Sequence, residues 1–174
     1  MRIGVFADAH DHKDNVVRAV AEFNRRECEL VLFAGDLVSP MTVPPLRRLK
    51  CPLVACFGDN DGNKTGIEGG MRIVGSIREP PFVVTANDGT AILLTHSLDA
   101  AARELVDECR AVVTGHTHRP KIAYDAEGRL RLNPGETSGW SFRKPTIAIL
   151  ETGPLQADIV PLPEMPPPPE YETV

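Results

Sequence analysis

Basic residues are outnumbered: 19 lysines and arginines face 24 aspartates and glutamates, leaving a formal charge of -5 and a pI near 5.5 over 174 residues. That balance argues against a general affinity for nucleic acid or anionic lipid, both of which demand a positive field. Cysteine is sparse and scattered. Cys28, Cys51, Cys56 and Cys109 form no CxxC pair and none stands beside a histidine, so buried reduced thiols are expected and not a zinc or disulfide framework. Long apolar runs are missing as well, since no window approaches the roughly 18 apolar residues of a membrane span. The opening MRIGVFADAH carries one arginine and an apolar run cut short by Asp8, without the apolar region and cleavage site of a secretory signal. It reads as a first strand, and the cytoplasm is the expected compartment.

With 42% hydrophobic and 25% charged residues, the composition is that of an ordinary globular protein, neither disordered nor membrane-like. A chain of this length buries a core in one domain, expected over residues 1–162. The closing segment 163–174, ending PPPPEYETV, is too rich in proline to pair as a central strand and is expected to be extended.

Apolar runs alternate with helical patterns through the first two thirds, the habit of βαβ units and a largely parallel sheet. Strands are expected at Ile3 to Ala7, Leu30 to Ala34 and Leu53 to Phe57. Val16, Val20 and Phe23 recur at i, i+4 and i+7, predicting a helix from Asp14 to Arg26. A short proline-opened helix is expected from Pro44 to Leu49, and Gly62 to Gly75 should mix loop with a short helix. Asn87-Asp88-Gly89 predicts a hairpin turn between Phe82–Thr85 and Ala91–Thr95. Spacing through Ala102, Leu105 and Val106 predicts a helix from Leu98 to Cys109. Strands follow at Ala111 to Thr114, Lys121 to Tyr124, Leu130 to Leu132, Thr146 to Leu150 and Ala157 to Val160. Two sheets with helices outside are expected.

Chemistry concentrates directly behind the strands: Asp8-Ala9-His10, Gly35-Asp36, Gly58-Asp59-Asn60-Asp61, Thr95-His96 and Gly115-His116-Thr117-His118. In open α/β sheets the carboxyl ends of strands face one crevice, so residues distant in sequence meet around one ligand. If these segments stay extended, alternation aims Asp8 with His10, and His116 with His118, at one centre. Four of the chain's five histidines take part; His12, the fifth, reads as a solvated loop residue. Carboxylate and imidazole without thiolate suit manganese, iron, zinc, nickel or magnesium. Seven candidate ligands exceed the needs of one ion, whereas two ions sharing Asp36 would use them all, at the roughly 3.5–4 Å separation of two-metal hydrolases.

The ordered set DxH, GD, GDND, TH, GHTH and NPGE resembles the calcineurin-like metallophosphoesterases, particularly the small phosphodiesterase branch of bacteria and archaea. The resemblance runs from Met1 to about Leu162 and implies a four-layer α/β/β/α sandwich of two mixed β-sheets flanked by helices. It also implies two divalent metal ions, manganese first among those above. Asp8, His10, Asp36 and His118 would hold one, and Asp36, Asp59, His96 and His116 the other. A water or hydroxide between the ions would attack phosphorus, the ions supplying the positive charge that the side chains lack. Asp36, Asp59 and Asn60 are the residues this implies for catalysis. The substrate class is a small phosphate ester, more in keeping with a phosphodiester than a phosphoprotein. A homo-oligomer is compatible with the sequence but leaves no distinct signature in it.

Asp59, Asn60 and the pair Ser97-Leu98 depart from the family pattern. Asp59 stands where most members carry a ligating asparagine, an extra carboxylate that should tighten ion binding and raise the pKa of the attacking water. Asn60 stands where protein phosphatases of the superfamily carry a histidine that protonates the leaving group. Ser97-Leu98 replaces the common Gly-His after His96. Asp61 is read either as orienting a ligand or as capping its turn, Asn133 to Glu136 as lining the site or simply turning, and Arg119 and Arg143 as phosphate contacts or ordinary surface arginines. Two other functions fit the resemblance. One is a scaffold of the same fold, as in the retromer coat subunit, which the retained histidines disfavour; the other is a nucleotidase or dinucleotide polyphosphate hydrolase, for which no basic or aromatic base clamp is apparent.

Overall fold

The structure is a computed structural model that describes residues 1–163; the proline-rich segment 164–174 lies outside the described residues, and with it all but the first residue of the expected tail. One sheet has six strands in the order β11-β10-β1-β2-β3-β4, with β1 (Arg2–Phe6), β2 (Leu30–Ala34), β3 (Leu53–Cys56) and β4 (Gly75–Arg78) parallel. On its other side β10 (Thr146–Glu151) and β11 (Gln156–Pro161) run antiparallel. The second sheet has the order β5-β6-β7-β9-β8, built from β5 (Phe82–Thr85), β6 (Ala91–Leu94), β7 (Ala111–Val113), β8 (Lys121–Tyr124) and β9 (Leu130–Asn133).

Why the central strands read as unbroken apolar runs follows from burial on both faces. In β1 and β2, Ile3, Val5, Leu30, Leu32 and Ala34 point between the sheets, against Ile92, Leu94, Val113 and Leu132. Phe6, Val31 and Phe33 point the other way, onto α1 (Lys13–Arg25) through Val16, Val20 and Phe23. Phe6, Phe23 and Phe33 are buried and in ring contact, each worth about 2–3 kcal/mol of burial. Alongside α1 on the same face lie α2 (Val43–Leu46) and α3 (Lys64–Met71). Among the described residues the opposite outer face carries one short α-helix, α4 (Ala100–Leu105), over Leu93 and Val112. The four layers are those expected, with a thin fourth. No helix among the described residues is long and apolar enough to cross a membrane.

Local differences from the expected elements have physical causes. The helix expected from Leu98 starts only at Ala100, because the Asp99 side chain accepts from Ala102 N at 2.8 Å and sets the cap. It gives way at Val106 to a 3-10 turn through Glu108, where Asp107 and Glu108 would crowd a helix C-terminus with negative charge. The helix expected at Pro44–Leu49 is shorter and sits one residue earlier, preceded by a 3-10 turn, Pro40–Thr42. Within the glycine-rich stretch, α3 forms despite three glycines because Ile67 and Met71 bury one face, and a Cβ on Gly66 or Gly70 would meet Pro40 or Val43 at 3.0 Å or less. Behind it, β4 was not expected: GSIR is an edge strand with one buried apolar residue.

Candidate metal centre

The ligand-bearing loops leave β1, β2, β3, β6 and β7 at their C-terminal ends and meet at one edge of the two sheets. Strand alternation, the expected route, is not what brings them together. Asp8, His10, Asp36, His116 and His118 all have positive φ, from 40 to 66°. Left-handed backbone at non-glycine residues costs about 1 kcal/mol or more each, so the chain turns sharply behind each strand to aim these side chains inward, with strain concentrated at the site.

Two groups of ligand atoms result. Asp8, His10, Asp36 and His118 each offer one atom, all within 4.8 Å of one another, as do Asp59, His96 and His116. Asp36 Oδ2 stands between them, 3.4 Å from His10 Nε2 and 3.4 Å from His96 Nε2. The first group is mostly buried; in the second, Asp59 and His116 are more than half exposed and only 2.9 Å apart. All seven sequence-predicted ligands are therefore brought together.

Two of the four imidazoles are aimed by what their other nitrogen does. His96 donates from Nδ1 to the Ala34 carbonyl at 2.7 Å, and His118 from Nδ1 to Glu136 Oε2 at 2.9 Å, which leaves both Nε2 lone pairs facing the centre. His10 Nε2 and His118 Nε2 lie 3.2 Å apart. Asp8 is fully buried; its Oδ1 accepts from His116 N at 3.1 Å, while Oδ2 has no partner. His96 Nε2 is likewise buried without a hydrogen bond. Burying orphaned acceptors is costly unless a cation completes them. An oxygen- and nitrogen-only donor set with two such atoms fits divalent ions.

In the metal-free protein the ionisable groups of the site act strongly on one another. Burial pushes the Asp8 carboxyl up to about 7, against the opposing pull of His96 and His118. Burial also opposes ionisation of Asp36, but His96 and two hydrogen bonds from Asn60 outweigh it and hold Asp36 well below the usual carboxylate range. For His96, burial disfavours the charge, yet Asp36, the Ala34 carbonyl and Asp8 together raise it to about 9. In the metal-free protein the His96 proton thus supplies the positive charge beside Asp36, and a cation bound there would take its place.

The loops themselves are tied by residues whose roles were open or unforeseen in the sequence. Buried Asp61 accepts three backbone N–H groups, from Gly58 at 2.6 Å, Val38 at 2.7 Å and Asp36 at 3.2 Å, clamping the loops behind β2 and β3 together. Asn60 donates from its backbone and side chain to Asp36 at 2.8 and 2.7 Å. Asn133 Nδ2 donates to the Gly115 carbonyl at 2.7 Å and fixes the GHTH turn, while Glu136 aims His118. Asn15, on α1, donates to the carbonyls of Thr137 and Ser138; it carried no sequence signal. Gly58 is demanded by space, since a Cβ there would collide with Asp36. His12 is half-buried, not solvated: it caps α1 by accepting from Asn15 N and packs on Trp140. Arg119 and Arg143 are both exposed, Arg119 over the Phe142 ring. Leu98 is 37% exposed and lines a separate apolar cavity with Val112 and Leu132.

A cavity of about 290 Å³ opens against the second group, lined by Phe57, Asp59, Lys64, Glu79, His96 and Ser97 among others. Comparison with known proteins bears directly on this geometry. Residues 1–154 match the calcineurin-like phosphoesterase superfamily domain. The chain is 29% identical over 156 residues to a protein named phosphodiesterase MJ0936 from Methanocaldococcus jannaschii, covering 87% of this chain and 93% of that one. It is 32% identical over 154 residues to a probable metallophosphoesterase of Methanothermobacter thermautotrophicus, covering 86% and 85%. A solved structure of an archaeal phosphodiesterase superposes with a TM-score of 0.85 at 28% identity, over 93% of this chain and all of that one. Strand order, converging loops and matched residues lead to one assignment: this chain belongs to the calcineurin-like phosphoesterase superfamily.

Proposed function

We propose that the protein is a phosphodiesterase that uses two divalent cations, manganese first among them, bridged by Asp36. The observation that carries this reading is the position of Asp36 Oδ2, equally 3.4 Å from a histidine of each ligand group. Asp8, His10 and His118 would complete one site, and Asp59, His96 and His116 the other. When bound, such a pair supplies an activated water and neutralises charge developing on the phosphoryl oxygens.

The chain's own groups do the rest. Asn60 keeps the shared carboxylate oriented, Glu136 and the Ala34 carbonyl hold His118 and His96 in the tautomer that presents Nε2, and Asp61 keeps the two Asp-bearing loops in register. Exposed Asp59 and His116 leave the second site open on the side of the cavity, whose size suits a small ester. The cytoplasm remains the expected compartment.

The test is hydrolysis of an aryl phosphodiester by metal-stripped protein with manganese, nickel, zinc or magnesium restored, beside Asp36→Asn. Metal-dependent turnover lost in the variant is the expected result. Tight metal binding without turnover of any ester would point instead to a scaffold of this fold.

A further inference from the structure

Trp140 is the only tryptophan in the chain, and it stands 64% exposed beside the first ligand group. Its indole Nε1 donates to the carbonyl of His10 at 3.1 Å, and the His12 ring packs against it with centroids 4.6 Å apart and planes 33° from parallel. Two residues of the loop that carries a metal ligand thus hold the indole in place, one covering a face while most of the ring meets water. Phe142, 44% exposed, continues the same loop. Its backbone N–H donates to Glu136 Oε1 at 2.6 Å, the carboxylate whose other oxygen aims His118. Arg119, directly after His118, sets its guanidinium 5.1 Å from the Phe142 ring centroid.

A tryptophan kept for stability is usually well buried, with its N–H bonded inside. Here the ring contributes little burial, yet it is anchored to the backbone of one histidine ligand, while its neighbour Phe142 is anchored to the partner of another. The cavity lined by Lys64 and Glu79 lies against the other ligand group and is mostly polar in its lining. The two arms of a diester therefore meet different chemistry: on the cavity side Phe57 is buried beneath Lys64, whereas Trp140 and Phe142 present open aromatic faces.

We infer that Trp140, with Phe142 and Arg119 beside it, forms a shelf that selects phosphate esters bearing a planar aromatic group, a nucleobase or an aryl ring, by stacking on the indole. This rests on the phosphoesterase reading and deepens it. Neither aromatic residue stood out in the sequence as a base clamp, because the fold alone brings the loop of residues 134–143 back against His10 and His12. Base–aromatic stacking of this kind is worth on the order of tenfold in affinity or more.

The single tryptophan makes the test independent of turnover. Protein, metal-free and manganese-loaded, is titrated with adenosine 5'-monophosphate, phenyl phosphate and glycerol 3-phosphate while tryptophan emission is followed. Saturable quenching by either aromatic phosphate but not by glycerol phosphate is expected, and whether one or both act separates a nucleobase from a general aryl preference. Emission unmoved by both aromatic ligands, or moved equally by all three, overturns the proposal. In parallel, Trp140→Ala should weaken adenosine monophosphate binding, measured by equilibrium dialysis, by about tenfold, with Trp140→Phe close to wild type and glycerol phosphate binding unaltered in both. Equal weakening of both ligands would mean that Trp140 acts only by holding the His10 carbonyl, and would also overturn the shelf. Selective quenching in a protein that hydrolyses no ester keeps the shelf and removes the enzyme; hydrolysis without discrimination does the reverse.

Discussion

Glu136 Oε2 lies 2.9 Å from Nδ1 of His118, and the same buried carboxylate accepts the backbone N–H groups of Ser141 and Phe142. A carboxylate behind a ligating imidazole fixes its tautomer and raises its basicity, and losing such a partner typically costs 10–100-fold in metal affinity. Glu136→Gln is expected to weaken divalent metal binding within about that range, read by competition with a chromophoric chelator. Affinity equal to wild type would show that Ser141 Oγ, 3.1 Å from the same nitrogen, suffices to hold the ring.

Asp61 is 6% exposed and holds three backbone N–H groups from two loops. Removing it strands those donors in a mostly buried position, so Asp61→Ala should lower stability by about 3 kcal/mol in urea unfolding of the metal-free protein. A loss under about 0.5 kcal/mol, the range of an ordinary surface substitution, would mean the loops are held by other contacts. Activity should fall with it, since Asp36 N is one of the donors.

The candidate ligands were legible because they stand just behind apolar strands, a local signal. What aims the ligands was not. Glu136 reaches His118 across 18 residues and Asn15 reaches Ser138 across 123, so only the folded chain shows these pairs. The convergence of Asp8 with His10 was foreseen by the wrong route, because extended alternation is a strand rule and these residues sit at positive φ in tight turns. β4 carries no such signal, because an edge strand with one buried apolar side chain lacks the both-faces-buried pattern of β1 and β2. The two aromatic residues of the rim follow NPGE within ten residues, but nothing local says that they turn toward His10.

Glu22 offers a pH test away from the site. Its hydrogen bond to Arg25, with Arg26 adding to it against a smaller opposing effect of burial, lowers its pKa from 4.5 to about 2. A depressed carboxylate contributes stability that is present above 4.5 and lost as pH falls through about 2. The full shift would correspond to about 3 kcal/mol. Arg25 is 66% exposed, so water screens the pair and about 1 kcal/mol is expected. Unfolding at pH 6 and pH 3 should show wild type losing more stability than Glu22→Gln; parallel losses would assign acid sensitivity to other groups.

Asp59 adds a carboxylate to the open ligand group, 2.9 Å from His116 and 3.7 Å from His96. Each added ligand charge strengthens cation binding while reducing the acidity conferred on bound water. Asp59→Asn should therefore need more metal for half-maximal rate and reach its maximum at lower pH than wild type. An unchanged pH profile would defeat this account.

The last prediction concerns the leaving group. Asn60 Nδ2 sits 2.7 Å from Asp36 Oδ2, where its amide orients the shared carboxylate but has no proton to release near neutral pH. A departing alkoxide then leaves unprotonated, so kcat should follow leaving-group acidity: a nitrophenyl diester is turned over faster than an unactivated alkyl diester. Asn60→His, which restores a titratable group, should raise kcat for the alkyl ester selectively. Stacking on Trp140 works on a different quantity. It favours any ester with a planar ring, including nucleoside esters whose leaving oxygen is aliphatic, and it acts through KM. A nucleoside diester with low KM and low kcat, beside a nitrophenyl diester with high kcat, would separate the two effects; equal kcat for aryl and alkyl esters would mean that another group protonates the leaving oxygen.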